Sequence, residues 1–270
     1  MNERQVLLRI HALPGGVLWV FIIKQAWAAL FGGLLLGAII FTNYVELPWL
    51  ARYDWLFLWA VAVQIGMLVF KLEQPREVIA IVLFHLVGLG MELFKTSSEI
   101  GSWTYPEESV IRFLTVPLFS GFMYAAVGSY LARAWRVLHL RFTNYPRRLF
   151  TVVLAMLIYI NFFTHHYIYD IRYILLAAVF LLYGRTKVYF RLNKNEYNMP
   201  VIIGFALIAF VIWLAENIGT VTSVWLYPSQ QFGWQVVEWQ KWISWFLLMI
   251  ISFIMIDILR VQFQLRAKDR

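Results

Sequence analysis

About eight uninterrupted apolar runs, each close to twenty residues long, restrict this chain to very few folds. They lie approximately at 24–43, 54–72, 77–95, 110–132, 149–166, 172–190, 199–220 and 240–260. A hydrocarbon core about 30 Å thick is crossed by roughly 20 apolar residues in a helix, whose backbone groups satisfy one another. The composition agrees: 61% of the residues are apolar and 14% charged, with a mean hydropathy of +0.68. Soluble domains carry about 45–50% apolar and about 25% charged residues. The reading is an all-α, polytopic membrane bundle of about eight transmembrane helices, one integral membrane domain over residues 1–270. Strands are not expected, because the runs are continuous and lack the alternating ten-residue pattern of a membrane barrel.

The first run is too long for a signal peptide, and seven more follow it. Residues 1–16 place Arg4, Arg9 and His11 among Val6, Leu7, Leu8 and Leu13. They read as an interfacial amphipathic segment that ends at Pro14-Gly15-Gly16. The chain has no cysteine, which excludes disulfides, thiolate nucleophiles and Cys-type metal centres. The net charge of +8 does not indicate nucleic acid, since the cations occupy short connections between apolar runs rather than a basic patch interleaved with aromatics. They orient the bundle instead. With both termini cytoplasmic, only Arg52, Lys95, Arg112, Arg172 and Lys241 of the 23 Lys and Arg residues fall outside or near the outer ends. A multi-pass protein of the bacterial cytoplasmic (inner) membrane is expected, with the lipid bilayer as its surroundings.

Two outer segments repeat. The third run ends in Glu92 and is followed by Trp103-Thr104-Tyr105-Pro106; the seventh contains Glu216 and is followed by Trp225-Leu226-Tyr227-Pro228. Each copy sets a carboxyl near the outer end of a helix and then Trp-x-Tyr-Pro in the loop. The copies stand four runs apart, which predicts a 4+4 internal duplication about an axis along the membrane normal.

Several runs resemble the bacterial YoaT-like integral membrane family: Lys24-Gln25-Ala26-Trp27-Ala28, Gly101 to Glu107, Val116 to Tyr130, and Asn161-Phe162-Phe163-Thr164-His165-His166 before Asp170. The resemblance implies an inner-membrane protein of about eight spans. It implies no activity or cofactor, because that family is one of unknown function. Glu216-x-x-Gly219, Thr222, Trp225-x-Tyr227 and Val116-Pro117-Leu118 also resemble the membrane carotenoid 1,2-hydratase type, which implies an isoprenoid substrate.

An ionisable side chain inside a span is costly unless partnered, so each is a functional candidate. His85 and Glu92 stand two turns apart on one helix face, with Lys95 three residues beyond, placed either to pair with Glu92 or to snorkel to the surface. The fifth run closes with Asn161 and His165 on one face and His166 pointing about 100° away. Asp170, Arg112, Glu216 and Asn217 also lie near the outer side, as do the loop aromatics Trp103, Tyr105, Trp225 and Tyr227. These residues are expected to converge in the outer leaflet.

The expected function is an enzyme or binding protein for a lipid or isoprenoid. Glu92 and Glu216 would serve as acid or anchor and His85 and His165 as base. Lys95, Trp103, Tyr105, Arg112, Asn161, His166, Asp170, Asn217, Trp225 and Tyr227 would line the binding site. The alternatives are a proton-coupled transporter of a small solute and a helical subunit of a larger complex. The inner half offers only Gln64, Ser129, Ser252 and Asp257, which favours a one-sided pocket. Adjacent histidines diverge on a helix, so no metal ligands are assigned. Ser120-Gly121 lacks the preceding glycine of a nucleophile elbow. Small residues from Ser120 to Ala132 read as a surface for close helix packing.

Overall fold

The computed structural model describes residues 15–268, so the interfacial segment expected at the N-terminus lies, but for its last residues, outside the described residues. The fold is mostly helical. Its elements are α1 (Gly16–Ala28), α2 (Leu30–Tyr44), α3 (Arg52–Val69), α4 (Pro75–Lys95), β1 (Arg112–Phe113), β2 (Val116–Pro117), α5 (Phe119–Val137) and β3 (Arg141–Thr143). They continue with α6 (Arg148–Thr164), α7 (Arg172–Tyr183), β4 (Lys187–Leu192), β5 (Asn195–Pro200), α8 (Val201–Val221) and α9 (Gln240–Lys268).

Among the described residues, four helices are long and apolar enough to cross a membrane: α3, α4 from Glu77, α8, and α9 as far as Val261. The α1–α2 pair makes a fifth if counted as one span, although it bends by 75°. The bend has an identifiable cause. Arg133 on α5 donates from Nη2 to the Trp27 carbonyl at 2.6 Å, and a side chain that takes a helix carbonyl breaks the i to i+4 ladder there.

Three expected spans come out differently. The run at 110–132 starts with a small β1–β2 hairpin, and its helix begins only at Phe119, just past Pro117. Proline removes a donor and biases the residue before it away from helix. Fully buried Asp54 holds this irregular stretch by accepting from Ser109 Oγ and from the Val110 and Ile111 amides. The run at 149–166 gives a 17-residue helix, α6. The run at 172–190 gives only 12 residues of α7, about 18 Å at 1.5 Å per residue.

Beyond α7 the chain forms strands, contrary to expectation. β4 pairs antiparallel with β3 and β5, with Leu192 opposite Asn195 across the Asn193-Lys194 turn. Lys187 to Leu192 is rich in aromatic and aliphatic residues, and Asn193 takes the left-handed conformation (φ 53°) that such a turn needs. The sheet and its turn carry Arg141, Lys187, Arg191 and Lys194.

Helix contacts repeat with the order of the helices. α2 packs on α3 and α5 as α6 packs on α7 and α9; α4 packs on α5 as α8 packs on α9; α5 meets α9 between the two sets. The small residues of α5 admit close approach as expected. A Cβ on Gly121 would lie 2.6 Å from the His85 ring, and one on Gly88 would lie 2.4 Å from the Tyr124 ring.

Candidate functional site

The two repeated glutamates are buried in equivalent aromatic cages. Glu92, 2% exposed, accepts at Oε2 from Trp103 Nε1 (2.8 Å) and the Tyr105 hydroxyl (2.8 Å), and at Oε1 from the Tyr124 hydroxyl (2.9 Å). Glu216, 4% exposed, accepts at Oε1 from the Tyr227 hydroxyl and at Oε2 from Trp245 Nε1 (2.6 Å). Tyr105 and Tyr227 hold the same place in the two Trp-x-Tyr-Pro segments. Tyr124 and Trp245 stand at the sixth position of α5 and α9. The loops themselves meet: Thr104 and Leu226, the middle residues of the two motifs, exchange both backbone hydrogen bonds at 2.9 Å.

The cages share a wall. The Trp103 and Tyr227 rings meet edge-on at 6.2 Å, and Lys241 Nζ lies 4.2 Å from the Tyr227 ring centroid. Burial pushes both Tyr105 and Tyr227 well above the usual phenol range, and the charge of the carboxyl each one bonds pushes the same way. Tyr227 also feels Glu92, which puts both carboxyl groups around one phenol. Trp225 differs from Trp103: it lies on Gly219, where a Cβ would come within 2.0 Å of the indole. The Glu216-x-x-Gly219 and Trp225-x-Tyr227 pattern is thus accounted for by one packing contact and one hydrogen bond.

Lys95 does not pair with Glu92. It is 4% exposed, and its Nζ reaches His166 Nε2 at 2.6 Å and His165 Nε2 at 3.3 Å, over the Phe162 ring at 4.2 Å. The two imidazoles, just past the end of α6 at Thr164, converge on one amine with their ring centroids 4.1 Å apart, contrary to the divergence expected of helical neighbours. Burial, then the neighbouring Lys95 charge, lowers His166 to about 4, so its imidazole is neutral at pH 7. Asn161 bonds Asp170 at 3.1 Å and the Ile171 amide at 3.1 Å, fixing the α6–α7 turn. Burial alone would raise Asp170, but its bonds to Asn161 and Arg172 hold it below the usual carboxylate range.

His85, Arg112 and Asn217 make none of these contacts. His85 lies lower on α4, edge-on to Phe122 at 4.7 Å, and its Nδ1 has no hydrogen-bond partner among the described residues. Arg112 is exposed and donates to Leu114 O in its own hairpin. Asn217 accepts from the Val237 amide and donates to Trp213 O, acting as a strut.

A second polar centre lies at the N-terminal end of α4. Glu73, 2% exposed, accepts from Gln64 Nε2 and Ser129 Oγ. Arg133, 1% exposed, donates to Leu72 O at 2.9 Å, beside its bond to Trp27. Arg136 joins them through Leu72 O and Glu77. Sequence reasoning singled out Gln64 and Ser129 but not their shared acceptor, because Glu73 sits in a charged turn that reads as solvated. Tyr124 and Trp245 were equally hidden among interfacial aromatics; aligning the two copies at about 121 residues apart exposes them as a pair.

No solved structure matches the chain. It is 44% identical over 237 residues, 88% of its length and 89% of the relative's, to "Uncharacterized protein YoaT" of Bacillus subtilis (strain 168). Residues 17–253 match the family described as a protein of unknown function, DUF817. The twin cages and the Glu73–Arg133 centre therefore belong to a chain that is a member of the DUF817 family.

Proposed function

We propose that this is a multi-pass protein of the bacterial cytoplasmic membrane, with eight helical spans (the α1–α2 pair as one), a duplicated 4+4 architecture and both termini cytoplasmic. It acts as a proton-coupled transporter of a small solute. The observation that carries the reading is a row of three acid–base groups along α4 and the turn before it. Glu73 at its inner end, His85 in the middle and Glu92 at its outer end are protonatable groups on one helix and the turn before it. Glu73 and Glu92 are 19 residues apart, roughly 28 Å at helical rise, close to the thickness of a hydrocarbon core.

Tyr124 suits this role because a hydroxyl both donates and accepts. A proton arriving on Glu92 Oε1 needs only the Tyr124 hydroxyl to turn round. Its counterpart Trp245 can only donate, so Glu216 has Tyr227 as its one two-way partner. Grouped cations support the orientation: Lys24 donates to the Val137 and Arg191 carbonyls, where Arg136, in the last turn of α5, and Arg141, in β3, also stand. The inner centre removes the ground for a one-sided pocket.

The test is solute-dependent pH change inside proteoliposomes carrying a lumenal pH dye under an inward proton gradient. Wild-type protein should acidify the lumen when its solute is present, and Glu92→Gln, Glu73→Gln and Tyr124→Phe should each suppress this. Wild-type rates in Glu92→Gln and Glu73→Gln would sink the proposal.

A second reading keeps the lipid or isoprenoid ligand. A small notch of about 40 Å³ lies among Phe162, Leu247 and Leu248, with His165, Arg172 and Asn161 at its polar side. That mixture of alkyl and polar groups suits the junction of a lipid chain and its head group. Native mass spectrometry showing one lipid species retained by the wild type and lost in Arg172→Ala would favour it.

A further inference from the structure

A larger cavity opens elsewhere on the outer side, between the two halves. This cleft, about 490 Å³, is within the range of small-molecule sites. One wall comes from the α2–α3 connection and the start of α3, with Glu46, Arg52 and Trp55. The other comes from Glu107, beyond the first Trp-x-Tyr-Pro, and Thr222 and Ser223, ahead of the second.

The charges of this cleft are unequal in what they have left to offer. Arg52 is committed: Nη1 bonds Glu107 at 2.8 Å and Thr222 O at 2.9 Å, Nη2 bonds Ile39 O at 3.1 Å, and Nε bonds Thr42 at 3.1 Å. Four of its five N–H groups are taken, and neither edge keeps the free pair that a bidentate carboxylate would use. Glu107 meets Arg52 through Oε1 alone, and Glu46 is exposed. Trp55 adds an indole, whose Nε1 is occupied by Pro48 O. Aliphatic side chains between residues 45 and 50 complete the lining. The acceptors are thus in excess, the one cation is spoken for, and an aromatic stands beside them.

We propose that the cleft binds a small organic ammonium ion, its charge held by Glu107 and Glu46 and its carbon skeleton set against Trp55. Because Arg52 ties the two repeated loops together through Glu107 and Thr222, a ligand on Glu107 acts on the joint between the halves. The proposal concerns binding alone, so it stands or falls separately from proton movement.

The experiment is isothermal titration of the full chain in nanodiscs with choline, ethanolamine and putrescine, with acetate and glycerol as controls. At least one of the three amines should bind saturably while acetate and glycerol do not. Glu46→Gln removes an exposed charge that holds up nothing else and should weaken binding about two- to fivefold. Trp55→Leu should weaken choline about two- to fivefold through the lost ring. Glu46→Gln/Trp55→Leu, with an unchanged melting temperature, should combine these losses. Absence of saturable binding by all three amines, equal binding of acetate, or amine affinities unchanged in the double variant would each overturn the assignment.

Discussion

The two halves of the molecule bury the same carboxyl in different company. In the first, Glu92 accepts from three aromatic donors, two of them hydroxyls, and a second buried acid stands at the far end of the same helix pair. In the second, Glu216 accepts from one hydroxyl and one indole. The acid at the other end of this half is Asp257, on α9 rather than ahead of α8, 3.5 Å from the Tyr145 hydroxyl and 3.7 Å from Arg148 Nε. The helices differ in step: α3 is followed by a tight charged turn, whereas α7 stops after 12 residues and hands over to a β-hairpin. One half keeps groups that can pass a proton; the other keeps the frame and substitutes a one-way donor.

The largest test of that contrast is stability. Removing Glu92 as Ala leaves three buried donors without an acceptor, and at about 1–3 kcal/mol each this costs at least about 3 kcal/mol. Glu216→Ala strands two donors and should cost about a third less by the same reckoning. Chemical unfolding in mild detergent, followed by tryptophan fluorescence, orders the pair; an equal or larger loss for Glu216→Ala would erase the difference between the cages. A smaller effect is expected at Gly219, where the added methyl of Gly219→Ala meets Trp225 and should cost about 1–3 kcal/mol by overpacking. A full-stability Gly219→Ala would mean that Trp225 is free to leave, and that the second loop is looser than the first.

The mildest test sits where Lys95 of the first half meets the histidines of the second. The folded protein holds His166 at about 4, below its ordinary 6.5, so the unfolded chain takes up the proton first. Stability from this group is complete above about pH 6.5 and declines as the pH falls from there to about 4. His166→Asn should flatten that stretch of a melting-temperature profile, with the parent slope retained in the variant as the contrary result. The substitution itself should alter the profile little above pH 7, where His166 is neutral in both the folded and the unfolded chain.

Much of this was legible in the sequence. The apolar runs fix where most helices lie, and the Glu and Trp-x-Tyr-Pro repeats mark Glu92, Tyr105, Glu216 and Tyr227. Local patterning cannot show Asp54 or Glu73 as buried, since each is adjacent to ordinary interfacial charge and only tertiary donors keep it inside. The bend at Ala29 was invisible for a related reason: the arginine that interrupts the ladder comes from more than a hundred residues away. The β4–β5 hairpin was hidden differently. Val188, Tyr189 and Phe190 extend an apolar run as readily as they form a strand, and the Asn193 turn signal beyond them decides the matter.

The paired backbone of Thr104 and Leu226 has an evolutionary consequence. A contact in which a segment meets its own equivalent is self-complementary, as at the dyad of a homodimer. A gene for four helices would already have supplied both partners of that contact by dimerising. Fusion of two such genes would need no new backbone joint, and because the Thr104–Leu226 pairing is written in main chain, each copy could change its side chains around it.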